Sequence, residues 1–208
     1  MHSRYFGSFS YGHCVTWFDT TLMRWVAANR FPLGDQLAHG IMPLGTNLVI
    51  LAVAALLGLV YVVARHRYRL AVGVAIAVVA STLIAGLLKQ ILARACPPAS
   101  MALVHANGLS MPSTAAALTA AAATAVYVGL VWLHPRRRRL TGVILAAGVI
   151  AVGPCLIYLG VRWPTDVFAG WALGIGVGAG TATMMTPLRW HRERQRHHLE
   201  DRPEGAVR

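Results

Sequence analysis

Acidic side chains are scarce in this chain: 7 Asp and Glu stand against 19 Lys and Arg in 208 residues, a formal net charge of +12. Charged residues of both signs make up only 12% of the sequence, against 56% hydrophobic ones. A water-soluble domain of this length needs a charged exterior around its core, so the balance excludes that class. Cysteine is sparse as well. Cys14, Cys96 and Cys155 lie far apart, without the short spacings that hold a metal ion or frame a disulfide-stapled fold, so no metal site or cofactor is expected. A cleavable signal peptide is not visible, because Met1 to His13 is polar and aromatic with no apolar stretch.

What the chain does have is a series of long apolar runs separated by short basic loops. Membrane spans are expected at about Leu37–Ala64, Leu70–Ala93, Ser113–Leu133, Leu140–Gly160 and Asp166–Met185. The predicted fold is therefore an all-α integral membrane bundle of about five transmembrane helices. Ahead of it, Trp17, Phe18, Leu22, Trp25 and Val26 recur at helical spacing within Cys14–Phe31, interrupted by Asp19, Arg24, Asn29 and Arg30. That mixture predicts an N-terminal amphipathic helix lying in the membrane interface. Three parts result: an N-terminal segment over 1–36, a transmembrane domain over 37–188 and a basic tail over 189–208.

The Arg excess sits at 65–69, at 136–139 and in the tail, which predicts a cytoplasmic place for all three, the C-terminus included, in a multi-pass protein of the inner or plasma membrane. Topology thus accounts for the basic balance, and no nucleic-acid partner is expected. The loops at 95–112 and 161–165 then face outward. Lys89, Arg94, Ser113, Arg162 and Asp166 gather at that extracytoplasmic end. Gly170, Gly174 and Gly178 repeat every four residues, as do Gly176 and Gly180, a pattern that lets helices approach closely. Ala116, Thr119, Ala120 and Ala123 form a complementary face, and the same glycine-rich helix is a candidate for homo- or hetero-oligomer contacts.

Three segments carry a family resemblance. The run Tyr158–Gly174, YLGVRWPTDVFAGWALG, resembles the third motif of the type 2 phosphatidic acid phosphatase superfamily, S-R-x5-H-x3-D. Asp166 matches the motif Asp, whereas Arg162 stands at the nucleophilic His, and Cys155 and Leu156 stand at the Ser and Arg. The first motif, K-x6-R-P, is similar to the segment from Lys89 to Pro97, with Arg94 inside it and Cys96 at the motif Arg. The second, P-S-G-H, is similar to Pro112-Ser113-Thr114-Ala115, with Thr114 at the Gly and Ala115 at the acid His.

The resemblance implies a membrane phosphatase fold over about residues 17–188, and a site where Lys, Arg, Ser and backbone N–H groups hold phosphoryl oxygens. Its phosphohistidine chemistry needs a nucleophile with a lone pair and a separate proton donor. Arg162 is always protonated and Ala115 donates nothing, so that route is blocked here. Phosphate holding survives better, through Lys89, Arg94, Arg162, Ser113, Thr114 and the start of the third span. The favoured expectation is a degenerate relative that binds a phosphate- or pyrophosphate-bearing lipid, an isoprenoid carrier or a phospholipid, with translocation as an extension. Two alternatives stay open: a working phosphatase that uses His39, His105, Cys96 or Cys155, and an accessory subunit with a vestigial pocket. For Arg162 and Asp166 a plain i, i+4 ion pair is the structural alternative.

Overall fold

The computed structural model describes residues 11–46, 66, 68–104, 108–130 and 134–185, with 11–16, 41–46 and 185 described by backbone alone. Six helices occupy them: α1 (Tyr11–Ala28), α2 (Pro32–Thr46), α3 (Tyr68–Leu92), α4 (Thr114–Gly129), α5 (Pro135–Tyr158) and α6 (Pro164–Met185). A single 3-10 turn, Ala99–Met101, lies in the loop after α3, and the described residues contain no β-strand. The span expected at Leu37–Ala64 falls for the most part outside the described residues. His105 does too.

Helices α3, α5 and α6 are each long and apolar enough to cross a membrane, and α4 is a shorter apolar helix. Their side chains are arranged inside out. On α3 the buried positions are Gly73, Ala77, Ser81 and Ala85, four residues apart, while Leu83 and Ile91 are 63% and 76% exposed. Large aliphatic side chains on the outside and small ones within suit a lipid surround, where burying Leu against protein gains little over burying it in acyl chains. Helix α5 repeats the pattern with Leu140, Val143, Ile144 and Ile150 turned outward.

Close backbone approach organises the centre. Helix α4 packs on α6 and on α3, and its buried face is Ala116, Ala117, Ala120, Ala121 and Ala125. A Cβ placed on Gly170 would stand 2.5 Å from Ser113 O, and one on Gly178 would stand 2.5 Å from Ala121 O. The row Gly170, Gly174, Gly178 is thus used within the chain, between α6 and α4. Gly176 and Gly180 face open space.

A second cluster, of Ala38, Ala116, Val152, Leu156, Leu159, Val161 and Val167, ties α2 and α5 to α4 and α6. Helix α5 ends at Tyr158, and the chain turns away at Gly160, whose φ of +74° is one that side chains with a Cβ rarely adopt; a Cβ there would meet Met101 O at 2.6 Å. The adjoining loop is stitched to this end of the bundle by Leu103 N donating to Leu159 O at 2.9 Å. At the opposite end, the Arg138 guanidinium lies over the Tyr127 ring, 4.7 Å from its centroid.

Helix α1 departs from a simple amphipathic reading. Trp17 and Trp25 are 68% and 63% exposed, so the aromatic stripe faces away from the bundle. Met23 and Asp19 face inward and are fully buried. A buried carboxylate demands a partner.

Candidate functional site

The partner of Asp19 is Arg94, just beyond the C-terminus of α3. Arg94 Nη2 donates to Asp19 Oδ2, and Arg94 Nη1 donates to Asp166 Oδ1 at 2.8 Å and to Thr165 Oγ1 at 2.7 Å. Asp19 accepts two further bonds from Thr165, from its N–H at 3.0 Å and its hydroxyl at 2.6 Å. Asp166 accepts from the Ser110 hydroxyl and from Trp163 N at 3.1 Å. Each carboxylate therefore has three donors, the condition under which a buried ion pair is tolerated. The Trp163 ring stacks under the Arg94 guanidinium at 5.4 Å, and its Nε1 donates to Ala95 O at 3.0 Å.

This arrangement overturns one reading and bears on another. No ion pair joins Arg162 to Asp166, because α6 begins only at Pro164: Arg162 precedes the helix, and an i, i+4 pair needs both residues on one. Asp166 turns instead toward Trp163 N, Ser110 and Arg94. Arg94, expected to hold phosphate, is engaged by two carboxylates and a hydroxyl. Ser113 is similarly engaged: fully buried, it caps α4 by accepting from Ala116 N at 3.4 Å, while its own N–H donates to Asp166 O at 3.0 Å.

Arg162 points elsewhere. Its Nη1 donates to Leu109 O at 2.9 Å and to Cys96 Sγ at 3.1 Å, and the Cys96 thiol reaches toward Gly108 O at 3.4 Å. Lys89, on the last turn of α3, lies within electrostatic reach of Arg162, Cys96 and Asp166. Among the described residues the Lys89 ammonium has neither a hydrogen-bond nor an ion-pair partner, and the Thr114 hydroxyl at the start of α4 likewise has none. Lys89 and Arg162 are both half-buried. Among the described residues, three cations, Lys89, Arg94 and Arg162, thus meet two carboxylates, Asp19 and Asp166, which leaves one positive charge uncompensated.

The remaining motif positions are apolar or inert. Leu156, at the place of a motif Arg, is 2% exposed inside the α2–α5–α6 cluster, and Ala115 packs against the same cluster. Cys155 is a half-buried free thiol with no polar partner for its sulfur among the described residues, and Cys96 is free as well. His39, a candidate replacement nucleophile, is exposed on α2. Sequence reasoning missed Asp19, Ser110 and Thr165. Asp19 carried a signal, as an acidic residue within an apolar helix of an acid-poor chain; Ser110 and Thr165 carried none.

A helical membrane bundle with these motif positions at one end defines a protein of the lipid-phosphatase type. The family model for the PAP2 superfamily matches residues 69–190, more than half of the chain, and the chain belongs to that superfamily. Among solved structures it is similar to the first transmembrane PAP2 type phosphatidylglycerolphosphate phosphatase from Bacillus subtilis, with a TM-score of 0.72 and 22% identity over 87% of each chain. It is also similar to Aquifex aeolicus LpxE, with a TM-score of 0.64 and 24% identity over 80% of this chain and 95% of that one. At these identities the likeness is one of fold. Comparison with curated proteins gives no match.

Proposed function

We propose that this PAP2 protein binds a phosphate- or pyrophosphate-bearing lipid without hydrolysing it, at the extracytoplasmic end of its bundle. The observation that carries the reading is the pair Lys89 and Arg162: two half-buried cations in electrostatic reach of each other, while Arg94 occupies both nearby carboxylates. Like charges held together at a bilayer edge are costly, and an anion is the partner that relieves them. The Thr114 hydroxyl and the first N–H groups of α4, at the same end of the bundle, are the neutral donors this reading assigns to the anion.

Absence of turnover follows from the chemistry. Arg162 replaces the nucleophile, Ala115 the proton donor, and both oxygens of Asp166 are engaged by Arg94, Ser110 and Trp163. Sidedness follows from the Arg run at 136–139, which begins α5 at the end remote from Lys89. The lipid class comes from the named relatives and from the charge of the site; the phosphatidylglycerolphosphate phosphatase of Bacillus subtilis acts on such a lipid, as its name states.

The test is a binding titration of the purified protein with phosphatidic acid and with an isoprenoid pyrophosphate. A charged contact to phosphate is worth roughly 1.5–3 kcal/mol, so Lys89→Ala and Arg162→Ala should each weaken binding about ten- to a hundredfold. Arg136→Ala, at the far end, should leave the affinity unchanged. Equal binding by the parent and both site variants would make the pocket vestigial and favour the accessory-subunit reading.

A further inference from the structure

Asp19 sits in a donor set suited to a phosphate oxygen. Its carboxylate is fully buried and takes the Arg94 guanidinium, the Thr165 hydroxyl at 2.6 Å and the Thr165 N–H at 3.0 Å. Thr165 is the second residue of α6, so its N–H is one of those that a helix start leaves without an intrahelical partner. A guanidinium, a hydroxyl and a helix-start N–H are donors that phosphoryl oxygens take. Here the chain supplies the anion itself, from α1. Lys89 and Arg162 belong to the same charge network: Lys89 is in electrostatic reach of Arg162 and Asp166, and Asp166 is in reach of Asp19. Both Nη atoms of Arg94 are committed to carboxylates.

We propose that Asp19 is a specificity-determining residue: it fills a second phosphoryl position, so that the site selects a lipid phosphate monoester over a lipid pyrophosphate. The inference rests on the lipid-phosphate reading and narrows it to one headgroup class. A monoester brings roughly 1.5 to 2 negative charges near neutral pH, and the uncompensated cations Lys89 and Arg162 take it. A pyrophosphate adds a second phosphoryl group with further charge. That group finds Arg94 and Thr165 already donating to Asp19, and it meets the negative charge of Asp19 and Asp166 in a site where burial strengthens like-charge repulsion. Asp19 acts through the donors it occupies and touches no ligand.

The experiment titrates the full chain in detergent micelles, by calorimetry at fixed salt, with farnesyl phosphate and farnesyl pyrophosphate, which share one hydrocarbon tail. The parent should bind the monoester about tenfold or more tightly than the pyrophosphate, the difference expected from one charged contact to phosphate. Asp19→Asn keeps the side-chain shape and an oxygen for the Thr165 N–H but releases the Arg94 charge. It should raise pyrophosphate affinity about tenfold or more relative to the monoester, and so close or invert the gap. Simple loosening of α1 would weaken both ligands alike, so a ratio left unchanged by Asp19→Asn overturns the proposal. A parent that binds the pyrophosphate at least as tightly as the monoester overturns it too, in a comparison that needs no variant to fold and leaves the lipid-phosphate reading standing. A parent that binds neither ligand overturns both.

Discussion

Removing Arg94 should destabilise this protein more than removing either of its carboxylates, and the coupling between the three can be worked from the structure. In Arg94→Met, Asp19 keeps the two Thr165 donors and Asp166 keeps Ser110 and Trp163 N, but two fully buried carboxylates lose the cation they share. Losing one partner of a buried pair costs about 3–5 kcal/mol, and the remaining donors hold the total near the middle, at about 4 kcal/mol. Asp19→Asn loses the charge but keeps an oxygen for the Thr165 N–H, while Arg94 keeps Asp166. One charge-assisted hydrogen bond of roughly 1.5–3 kcal/mol is at stake, so about 2 kcal/mol is expected. The double variant Asp19→Asn/Arg94→Met leaves one unpaired carboxylate instead of two. Additivity gives about 6 kcal/mol, whereas relief of the second buried charge should hold the double variant near 4 kcal/mol, a coupling of about 2 kcal/mol. Equilibrium unfolding of the four proteins in one detergent measures it. Additive losses within about 0.5 kcal/mol, or an Arg94→Met loss below about 1 kcal/mol, would refute the buried trio as the clamp of α1 onto the bundle.

Other outcomes follow from the same geometry. Gly174→Leu should cost about 1–3 kcal/mol or more, because its Cβ would lie 2.7 Å from Ala120 Cβ and against Ala117 O; Gly176→Ala, facing open space, should be neutral or stabilising by up to about 1 kcal/mol. Thermal unfolding of the pair reads both. Purified protein should release no inorganic phosphate from phosphatidic acid or an isoprenoid pyrophosphate above background, and turnover that vanishes on changing His39 or His105 would overturn that expectation. The double variant Arg162→His/Ala115→His should give little activity in the same phosphate-release assay, because by the motif resemblance Cys96 and Leu156 stand at two Arg positions and Leu156 is sealed in the apolar cluster.

Much of the architecture was legible because lipid imposes a simple code. Apolar runs closed by Arg gave helices close to α3, α5 and α6, and of the two four-residue glycine rows Gly170, Gly174 and Gly178 marked where α6 meets α4, whereas Gly176 and Gly180 did not. The expected span to Leu133 is longer than α4, which ends at Gly129, since the apolar run continues through Leu130, Val131, Trp132 and Leu133 without a change in hydropathy. The site was legible as a set of motif positions but not as a network. Asp19 and Arg94 are 75 residues apart, and nothing in a helical periodicity says that an acid among tryptophans turns inward to meet an arginine beyond another helix. Likewise, spacing put Arg162 and Asp166 one helical turn apart, but only the helix start at Pro164 decides whether that turn exists. A second buried carboxylate lowers the charge excess of the site from two to one, which is why the proposed anion site rests on Lys89 and Arg162 more than on Arg94.

Native mass spectrometry of gently extracted protein tests the central claim most directly. The parent should retain a lipid whose mass and fragmentation show a phosphate monoester or pyrophosphate, with its phosphate intact after incubation, and the double variant Lys89→Ala/Arg162→Ala should come out without it. A parent that carries no such lipid, or a double variant that carries the same lipid to the same extent, would contradict the account.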